Sequence, residues 1–363
     1  MNLMSATFGT SFKVTIFGES HGKAIGVTID GIPPGVAIDM DKVSFEMKRR
    51  APGQSKLSTP RKEDDIPDIL SGMFDGKTTG APLTAVIHNT NTKSKDYSEM
   101  KKKMRPGQAD YPARMRYEGF NDYRGSGKFS GRITAPLVFA GSIAKQVLDT
   151  SGITIGAHIG SVMDVQDERL TLDNATPELL KSFGEYHLPL IDRSKAKEIE
   201  NVIEAARDAG DSVGGTIECM ALGLPAGIGN PFFNSIESVL SHLLFAVPAV
   251  KGIEFGSGFD IANMHASEAN DAYYYDEDGN VKTKTNHNGG ITGGISNGMP
   301  VVFRVAVKAP SSITKTQDTI NIESGENVTL EVHGRHDPII VPRAIPVIEA
   351  VCAIGILDLM QTR

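Results

Sequence analysis

The sequence predicts a single α+β domain, and three observations lead to this fold class. Apolar residues alternate over short runs typical of strands, such as 12–17 and 300–308. Longer segments carry apolar residues at helical spacing, such as 135–148 and 341–360. No low-complexity segment or linker divides the chain, so residues 1–363 are expected to form one domain.

The elements follow one another in a mixed order. Strands are predicted at 12–17, 24–29, 83–88, 216–222, 300–308 and 328–332. Helices are predicted at 41–50, 135–148, 191–209, 234–246 and 341–360, the first of them capped by Asp39 or Asp41. Residues 54–65 and 273–287 are polar and are predicted to be loops.

The second half of the chain repeats a pattern of the first. Gly31-Ile32-Pro33-Pro34-Gly35 recurs 192 positions later as Gly223-Leu224-Pro225-Ala226-Gly227. Each copy follows an apolar strand-like run and precedes an amphipathic helix. The pattern indicates either a duplicated strand–turn–helix layer or a chance likeness between two glycine-rich turns.

Basic residues are concentrated in two segments of an otherwise acidic chain with a formal net charge of −7. Residues 48–62 carry six cations and no acid, and residues 93–132 carry eleven cations against five acids. A nucleic-acid-binding protein usually has a broader basic excess, so a small, strongly anionic ligand is favoured. Two solvated lysine-rich faces are the alternative.

Composition excludes several classes of protein. Cys219 and Cys352 are the only cysteines and lie far apart, which argues against a disulfide framework or a cysteine zinc site. The first residues do not have the pattern of a signal peptide, and no apolar run is expected to reach the ~18 residues of a membrane span. We therefore expect a cytoplasmic, soluble protein without a metal, nucleic-acid or membrane partner.

The stretch Gly18-Glu19-Ser20-His21-Gly22 places a carboxylate, a hydroxyl and an imidazole directly after a predicted strand. Glycines let the backbone approach a ligand closely, and histidine can transfer a proton near neutral pH. These residue types favour a catalytic loop, and a histidine that merely hydrogen-bonds its own loop is the alternative.

Three glycine-containing stretches are candidates for binding an anion. Residues 122–132 include Gly127-Lys128 but lack the upstream glycine of a Walker A loop. They precede a predicted helix, whose N-terminus favours anions. Residues 288–298 hold five glycines, so their backbone amides can approach a flat or phosphorylated ligand. Residues 308–313 follow at the end of the predicted strand 300–308 and form a candidate binding loop.

Three stretches together resemble the chorismate synthase family. Residues 18–35 are similar to its N-terminal signature, and Ser130-Gly131-Arg132-Ile133-Thr134 is similar to its central one. Gly334-Arg335-His336-Asp337-Pro338, followed by residues 342–349, is similar to its C-terminal signature. The order and spacing match over essentially the whole chain.

The resemblance implies a β-α-β sandwich with internal pseudosymmetry and a homotetramer. It also implies a phosphate lyase of the shikimate pathway, which forms chorismate from 5-enolpyruvylshikimate 3-phosphate by 1,4-elimination. The family requires reduced FMN without net redox change. Because this chain has no long insertion, it resembles the monofunctional bacterial type, which depends on an external flavin reductant, with NADP as the associated nucleotide.

The resemblance further implies roles for individual residues. His21 is expected to be the acid beside the leaving phosphate, and Asp337 is expected to accept a proton from the flavin. The residues implied at the flavin site are Lys128, Phe129, Ser130, Pro248, Ala249, Gly293, Lys308, Ala309, Pro310, Ser311, Ser312 and Arg335. The residues implied to bind substrate or nucleotide are Ser20, Arg50, Lys56 and Arg132.

The sequence departs from the family pattern at several positions. Gln108 occupies the place of a second histidine credited with protonation near the flavin, and an amide cannot transfer a proton at neutral pH. Lys56 and Lys128 stand where arginine is common, Phe129 replaces a serine, and Pro248 replaces a frequent asparagine. The alternative hypothesis is therefore a catalytically impaired flavin-binding paralog of the same fold. A phosphate-dependent nucleotide-binding protein is a third hypothesis, which the incomplete P-loop disfavours.

Overall fold

The computed structural model describes residues 6–53, 63, 65–90, 101–332 and 337–362. Its strands are β1 (Thr7–Phe8), β2 (Lys13–Gly18), β3 (Ala24–Asp30), β4 (Asp68–Ser71), β5 (Met73–Phe74), β6 (Lys77–Thr78), β7 (Leu83–His88), β8 (Thr154–Val162), β9 (Val165–Gln166), β10 (Gly215–Leu222), β11 (Val250–Phe255), β12 (Tyr273–Tyr275), β13 (Val281–Thr283), β14 (Ile291–Thr292), β15 (Ile295–Ser296), β16 (Val301–Val307), β17 (Gln317–Asn321) and β18 (Glu326–Leu330). Its helices are α1 (Met40–Arg50), α2 (Asp110–Arg116), α3 (Thr134–Asp149), α4 (Pro177–Ser182), α5 (Ala196–Asp208), α6 (Ile236–Ala246), α7 (Ala266–Ala269) and α8 (Val341–Gln361).

Two antiparallel five-stranded sheets form the outer layers of the fold. The first has the strand order β1-β2-β3-β7-β4, and the second has the order β11-β16-β10-β8-β9. Long pairs such as β10 with β16 and β3 with β7 keep their register over six or seven residues. Each sheet covers the core on one face, which is why its central strands alternate or are wholly apolar.

Helices fill the space between the two sheets. α3 packs on the first sheet, α8 packs on β8 and β10 of the second, and the two helices pack on each other. A Cβ on Gly141 of α3 would lie 2.2 Å from Ala350 Cβ of α8, so the absence of a side chain sets how closely these helices approach. The predicted β-α-β sandwich is confirmed.

The duplicated layer is present at the centre of both sheets. β3 and β10 are each the third strand of five, and each leads into a glycine turn and then a helix of the middle layer. Gly31 and Gly223 begin these turns with φ of +90° and +83°, and a Cβ on either would collide with a backbone carbonyl. The repeated turns therefore reflect internal pseudosymmetry and not chance.

α1 forms where the sequence predicts it. Asp39 caps its start by accepting hydrogen bonds from the N–H groups of Asp41 and Lys42. Val43 and Met47 face the core, one helical turn apart. The helix therefore carries its last residues, which are basic, to a fixed position in the middle layer.

Two local predictions were wrong in detail, and a third falls mostly outside the described residues. Residues 273–287 contain the β12–β13 hairpin, whose strands are too exposed to show an apolar pattern. The helix predicted from residue 191 begins at Ala196, because Asp192 caps a separate 3₁₀ turn at Arg193–Lys195. The loop predicted at 54–65 lies mostly outside the described residues, but Glu63 and Asp65 are described and are buried.

The expectation about apolar runs was also wrong. By length and composition, the 21 residues of α8 are sufficient to cross a membrane. The apolar composition of α8 was not evident from the sequence, because Glu349 and Asp358 interrupt its run of apolar residues. In the structure 89% of its most apolar window is buried inside the protein, and Asp358 accepts hydrogen bonds from the N–H groups of residues 10–12. This environment is that of a core helix.

Candidate functional site

The Glu19-Ser20-His21 stretch lies in the turn after β2, and two of its side chains are buried. Ser20 is 1% exposed and His21 is 7% exposed. The backbone N–H of Ser20 donates to the carbonyl of Gly127, 3.1 Å away. A Cβ on Gly125 would lie 2.2 Å from His21 Nδ1, so only glycine lets this loop pack against the imidazole. The turn at residues 125–127 therefore packs against the His21 side chain.

Two arginines share one buried carboxylate. Arg50 Nη2 donates to Asp65 Oδ2 at 2.5 Å, and Arg132 Nη1 donates to Asp65 Oδ1 at 2.5 Å. Arg132 Nη1 also contacts Glu63 Oε2. All four side chains are buried, so each charge depends on these partners.

Asn89 connects the arginines to the His21 turn. Its Oδ1 accepts from Arg132 Nε at 2.6 Å, and its Nδ2 donates to the carbonyls of Glu19 and Gly22 at 3.0 Å each. Asn89 reaches both because it follows β7, whose last residue pairs with the first residue of β3. The imidazole and the guanidinium groups thus belong to one site.

Arg343, near the start of α8, brings the C-terminal signature to the same place. Its Nη1 donates to Asp337 Oδ2 at 2.5 Å, and its Nε donates to the carbonyl of Arg50 at 3.2 Å. We call Arg50, Arg132 and Arg343 the arginine cluster. Its members come from α1, from the turn before α3 and from α8.

Charges in the arginine cluster act on one another. Burial is the main reason that the pKa of Arg50 is lowered; Asp65 opposes this, and Arg343 and Arg132 add to it. Burial alone would raise the pKa of Asp65, but Arg50 and Arg132 bring it below its ordinary range. The surroundings of Arg50 are therefore unfavourable to its positive charge, and a bound anion would relieve this.

Arg105 contacts the turn at 125–127 that packs against His21. Its Nε and Nη2 donate to the two carboxylate oxygens of Asp110, each at 2.8 Å. Its Nη2 also donates to Ser126 Oγ at 2.9 Å. Asp122 lies nearby: its pKa is lowered, chiefly by hydrogen bonds from Arg124, with a smaller contribution from the charge of His21.

The predicted flavin residues at 248–249 and 308–312 form one group around Lys308. Its backbone N–H donates to the carbonyl of Ala249 at 2.8 Å, and its Nζ donates to the carbonyl of Gly107 at 3.2 Å. A Cβ on Gly107 would lie 3.1 Å from Ser311 Cβ. The loop at 308–312 therefore contacts both the turn after α6, where Pro248 lies, and the turn that carries Gln108.

The remaining predicted flavin residues differ in how they are placed. Lys128 Nζ lies 4.6 Å from the ring centre of Tyr117 and 5.6 Å from that of Phe129, and Ser130 Oγ accepts from the N–H of Arg132. Gly293 lies beside the start of α6, whereas Ala249 follows its end. Lys56 and Arg335 lie outside the described residues, and the roles of all the predicted site residues stay predictions.

Several residues of the site were not identified from the sequence. Asn89 directly follows the predicted strand 83–88, Asp65 ends the predicted polar loop, and Arg105 was counted only within the basic segment 93–132. Arg343 had a usable signal, since it falls within the C-terminal signature. For Asn89 the partners are distant in sequence, and the pairing of β3 with β7 brings it to the His21 turn.

A separate cavity lies on the other side of α1. It has a volume of about 340 Å³, and Arg49, Lys145 and Glu349 are among its lining residues. None of the predicted site residues lines it, and its two most buried cations are already paired with carboxylates. Across the described part of the chain, no group of three or more His, Cys, Asp or Glu side chains is arranged to hold a metal ion.

The chain is similar to known proteins along almost its whole length. A family profile described as chorismate synthase matches residues 12–361. The chorismate synthase of Methanocaldococcus jannaschii is 45% identical over 362 residues, covering 98% of this chain and 96% of that protein. The chorismate synthase of Cytophaga hutchinsonii is 44% identical over 359 residues, covering 98% and 97%. A crystal structure of a chorismate synthase matches with a TM-score of 0.75 at 26% identity, covering 98% of this chain and 93% of that chain.

Proposed function

Because the chain belongs to the chorismate synthase family, we propose that it converts 5-enolpyruvylshikimate 3-phosphate to chorismate by 1,4-elimination of phosphate. The reaction uses reduced FMN and involves no net redox change. One observation carries the proposal: Asn89 joins the His21 turn to the arginine cluster, so a proton donor and anion-binding groups lie in one site.

The arginine cluster suits a substrate with one phosphate and two carboxylates. Guanidinium groups bind such anions through paired hydrogen bonds. Arg50 Nε is buried and has no hydrogen-bond partner among the described residues, which leaves it as a donor for a ligand oxygen. Arg50 and Arg132 are the proposed anchors, together with Ser20 and Lys56.

His21 is the proposed acid for the leaving phosphate. A phosphate group departs more readily when it is protonated, and an imidazole can supply the proton near neutral pH. The turn at Gly125 fixes one face of the ring, which restricts its orientation before substrate binds. Asp337, held by Arg343, is the proposed proton acceptor.

Reduced FMN fits the donor set around Lys308. Lys308 and Lys128 are cations for its phosphate, and the close approach of Gly107 to Ser311 leaves backbone groups to line a flat ring. The proposed binding residues are Lys128, Phe129, Ser130, Pro248, Ala249, Gly293, Ala309, Pro310, Ser311, Ser312, Arg335 and Lys308. When bound there, reduced FMN would supply transient electron donation to the substrate.

Gln108 motivates the second candidate function, a flavin-binding paralog with impaired turnover. Its side chain is half-buried in the turn that Lys308 contacts. An amide there can hold a water or a ligand atom but cannot deliver a proton. Loss of that proton route would lower turnover while leaving flavin binding intact.

The proposal has four further parts: the protein forms a homotetramer, depends on an external flavin reductant, lies in the cytoplasm and folds as a single domain. Phe232 and Phe233 are 88% and 90% exposed, and burying such side chains between copies of the chain would be favourable. One hydrophobic cluster includes residues from both sheets and the helices between them, which supports one domain. Light scattering on the purified protein tests the tetramer.

An anaerobic assay with the enolpyruvyl phosphate substrate and chemically reduced FMN tests the reaction. We expect chorismate to form in the parent protein. His21→Ala should lower kcat by at least about 100-fold, which is ~2.7 kcal/mol of barrier, and change flavin affinity little. His88→Ala is the control, because His88 ends β7 with an exposed side chain.

The outcomes separate the two candidates. No chorismate from the parent protein, with normal flavin binding, would exclude the enzyme and favour the paralog. Normal turnover in His21→Ala would remove His21 from the proposed acid role while leaving the overall reaction intact.

A further inference from the structure

The turn Gly125-Ser126-Gly127 has a left-handed backbone at three successive residues. Their φ values are +56°, +68° and +52°. Glycine adopts this conformation readily, but a residue with a Cβ adopts it at a cost of about 1–2 kcal/mol. Ser126 is thus the one residue of the turn whose backbone needs a compensating interaction.

A buried arginine provides that interaction. Arg105 Nη2 donates to Ser126 Oγ at 2.9 Å. Arg105 is itself fixed, because Asp110 accepts from its Nε, its Nη2 and its backbone N–H. The guanidinium and the carboxylate are both nearly inaccessible to solvent. The Ser126 hydroxyl is therefore bound to a rigid group and not to a mobile surface side chain.

Both neighbours of Ser126 touch the catalytic turn. Gly125 faces the His21 ring so closely that a Cβ would lie 2.2 Å from its Nδ1 and 3.0 Å from Ser20 Oγ. The carbonyl of Gly127 accepts from the N–H of Ser20. A rotation of the peptide units on either side of Ser126 would consequently move the surface against which the imidazole rests.

We propose that Ser126 is a positioning residue for His21. Its hydroxyl, held by Arg105, keeps the left-handed turn in the one arrangement that fixes the imidazole for proton donation. The inference rests on the proposed function, because it takes His21 as the acid. It goes beyond that function by assigning a role to a side chain that touches no reacting group.

Two substitutions separate the hydroxyl from the backbone conformation. Ser126→Ala removes the hydroxyl and keeps the cost of a left-handed Cβ, whereas Ser126→Gly removes both. We expect each variant to lower kcat about tenfold with KM for the phosphorylated substrate changed less than about twofold. Ser71→Ala is the matched control. Ser71 is an exposed residue of β4, and the substitution removes the hydrogen bond that its hydroxyl donates to the carbonyl of Pro82.

The second readout is the imidazole itself. In protein labelled with ¹³C-histidine, the His21 ring signal is assigned by its absence in His21→Ala. We expect Ser126→Ala and Ser126→Gly to shift this signal and move its titration midpoint, and Ser71→Ala to leave both unchanged. A merely structural role for Ser126 would lower the melting temperature without moving the midpoint.

The results can overturn the proposal in two ways. Parent-like kcat in Ser126→Gly would show that the hydroxyl is dispensable, and an unchanged His21 titration in both variants would show that the turn does not orient the ring. Ser126→Gly remains informative if Ser126→Ala fails to fold, because glycine removes the backbone cost. If the parent makes no chorismate but substitution of Ser126 changes the His21 signal, the proposed function fails and the positioning role stands.

Discussion

Arg49 and Arg50 are neighbours at the end of α1, but they enter two different groups of buried charge. Arg49 donates to both oxygens of Glu349 at 2.6 and 2.9 Å and to Glu46 at 2.7 Å. Lys145 contacts the same two carboxylates. Two cations therefore balance two anions, and we call this the Glu349 cluster. Arg50 points instead into the arginine cluster.

The pKa values of the two arginines shift in opposite directions. Burial would lower the pKa of Arg49, but Glu349 and Glu46 raise it above its ordinary value. Burial lowers the pKa of Arg50, and the carboxylate of Asp65 does not overcome burial and two neighbouring arginines. In the Glu349 cluster the two carboxylates outweigh burial and favour the charge of Arg49, which suits a structural role. Around Arg50, burial and the two neighbouring arginines outweigh Asp65, although every arginine of that cluster has a carboxylate partner, so an added anion would be favourable there.

The comparison shows why basic character in a sequence is ambiguous. Both arginines belong to the segment 48–62, which was interpreted as one cationic region. Consecutive helix positions lie about 100° apart, so the two side chains meet different neighbours. The function of each depends on which carboxylates the tertiary structure brings to it.

The largest expected effect is that of removing the carboxylate at the centre of the Glu349 cluster. Glu349→Ala should lower the free energy of unfolding by about 3–5 kcal/mol, because Arg49 and Lys145 would stay buried without their main partner. Urea denaturation at pH 7 and fixed protein concentration measures it. Glu198→Ala, which breaks an exposed pair with Lys195, is the control and should cost less than about 1 kcal/mol. A loss below 1 kcal/mol in Glu349→Ala would contradict the structural role.

Acid should weaken the same cluster. Arg49 and Lys145 overcome the effect of burial and lower the pKa of Glu349 from 4.5 to about 2. A carboxylate with a lowered pKa stabilises the folded state fully above about pH 4.5, and this stabilisation disappears as the pH falls towards 2, with a total on the order of 3 kcal/mol. Denaturation curves between pH 6 and 2 measure the loss. Glu349→Gln should show a flatter acid dependence, and an identical slope in both proteins would refute the assignment.

Arg50→Lys tests the other side of the comparison. A lysine keeps the charge but lacks the planar fork, so kcat/KM for the phosphorylated substrate should fall by about 100-fold, or ~2.7 kcal/mol. Arg49→Lys is the matched variant. Its loss in the free energy of unfolding should exceed the free-energy equivalent of its loss in kcat/KM. Steady-state anaerobic kinetics and thermal melts of both variants give the two quantities. An equal loss of kcat/KM in Arg49→Lys and Arg50→Lys would contradict the assignment of a structural role to Arg49 and a substrate-binding role to Arg50.

The smallest effect is expected at Gln108. Gln108→His should leave kcat unchanged or raise it, because the imidazole restores a group able to transfer a proton beside Lys308. The same anaerobic assay measures the rate. A decrease of more than about tenfold, ~1.4 kcal/mol, would mean that the amide has its own role in this chain.

Much of the fold could be predicted because its signals are local. The alternation in β2 and β3 and the Asp39 cap of α1 lie within a few residues of the elements that they specify. The β12–β13 hairpin was missed because both faces are largely exposed and no apolar period marks it. The length of α8 was predicted, but its apolar character over a span-like length was missed because two buried carboxylates interrupt its apolar run.

For the site, the sequence by itself determined the residue types and their order: an acid–hydroxyl–imidazole turn, two basic segments and a C-terminal signature. Only the tertiary structure decided which of these residues meet. Asn89 reaches the backbone of the His21 turn through strand pairing, and Glu349 reaches Arg49 from 300 positions away through the packing of α8 in the middle layer. The physical reason is that a buried charge takes its role from its partners, and those partners are set by packing between elements that are distant in the chain.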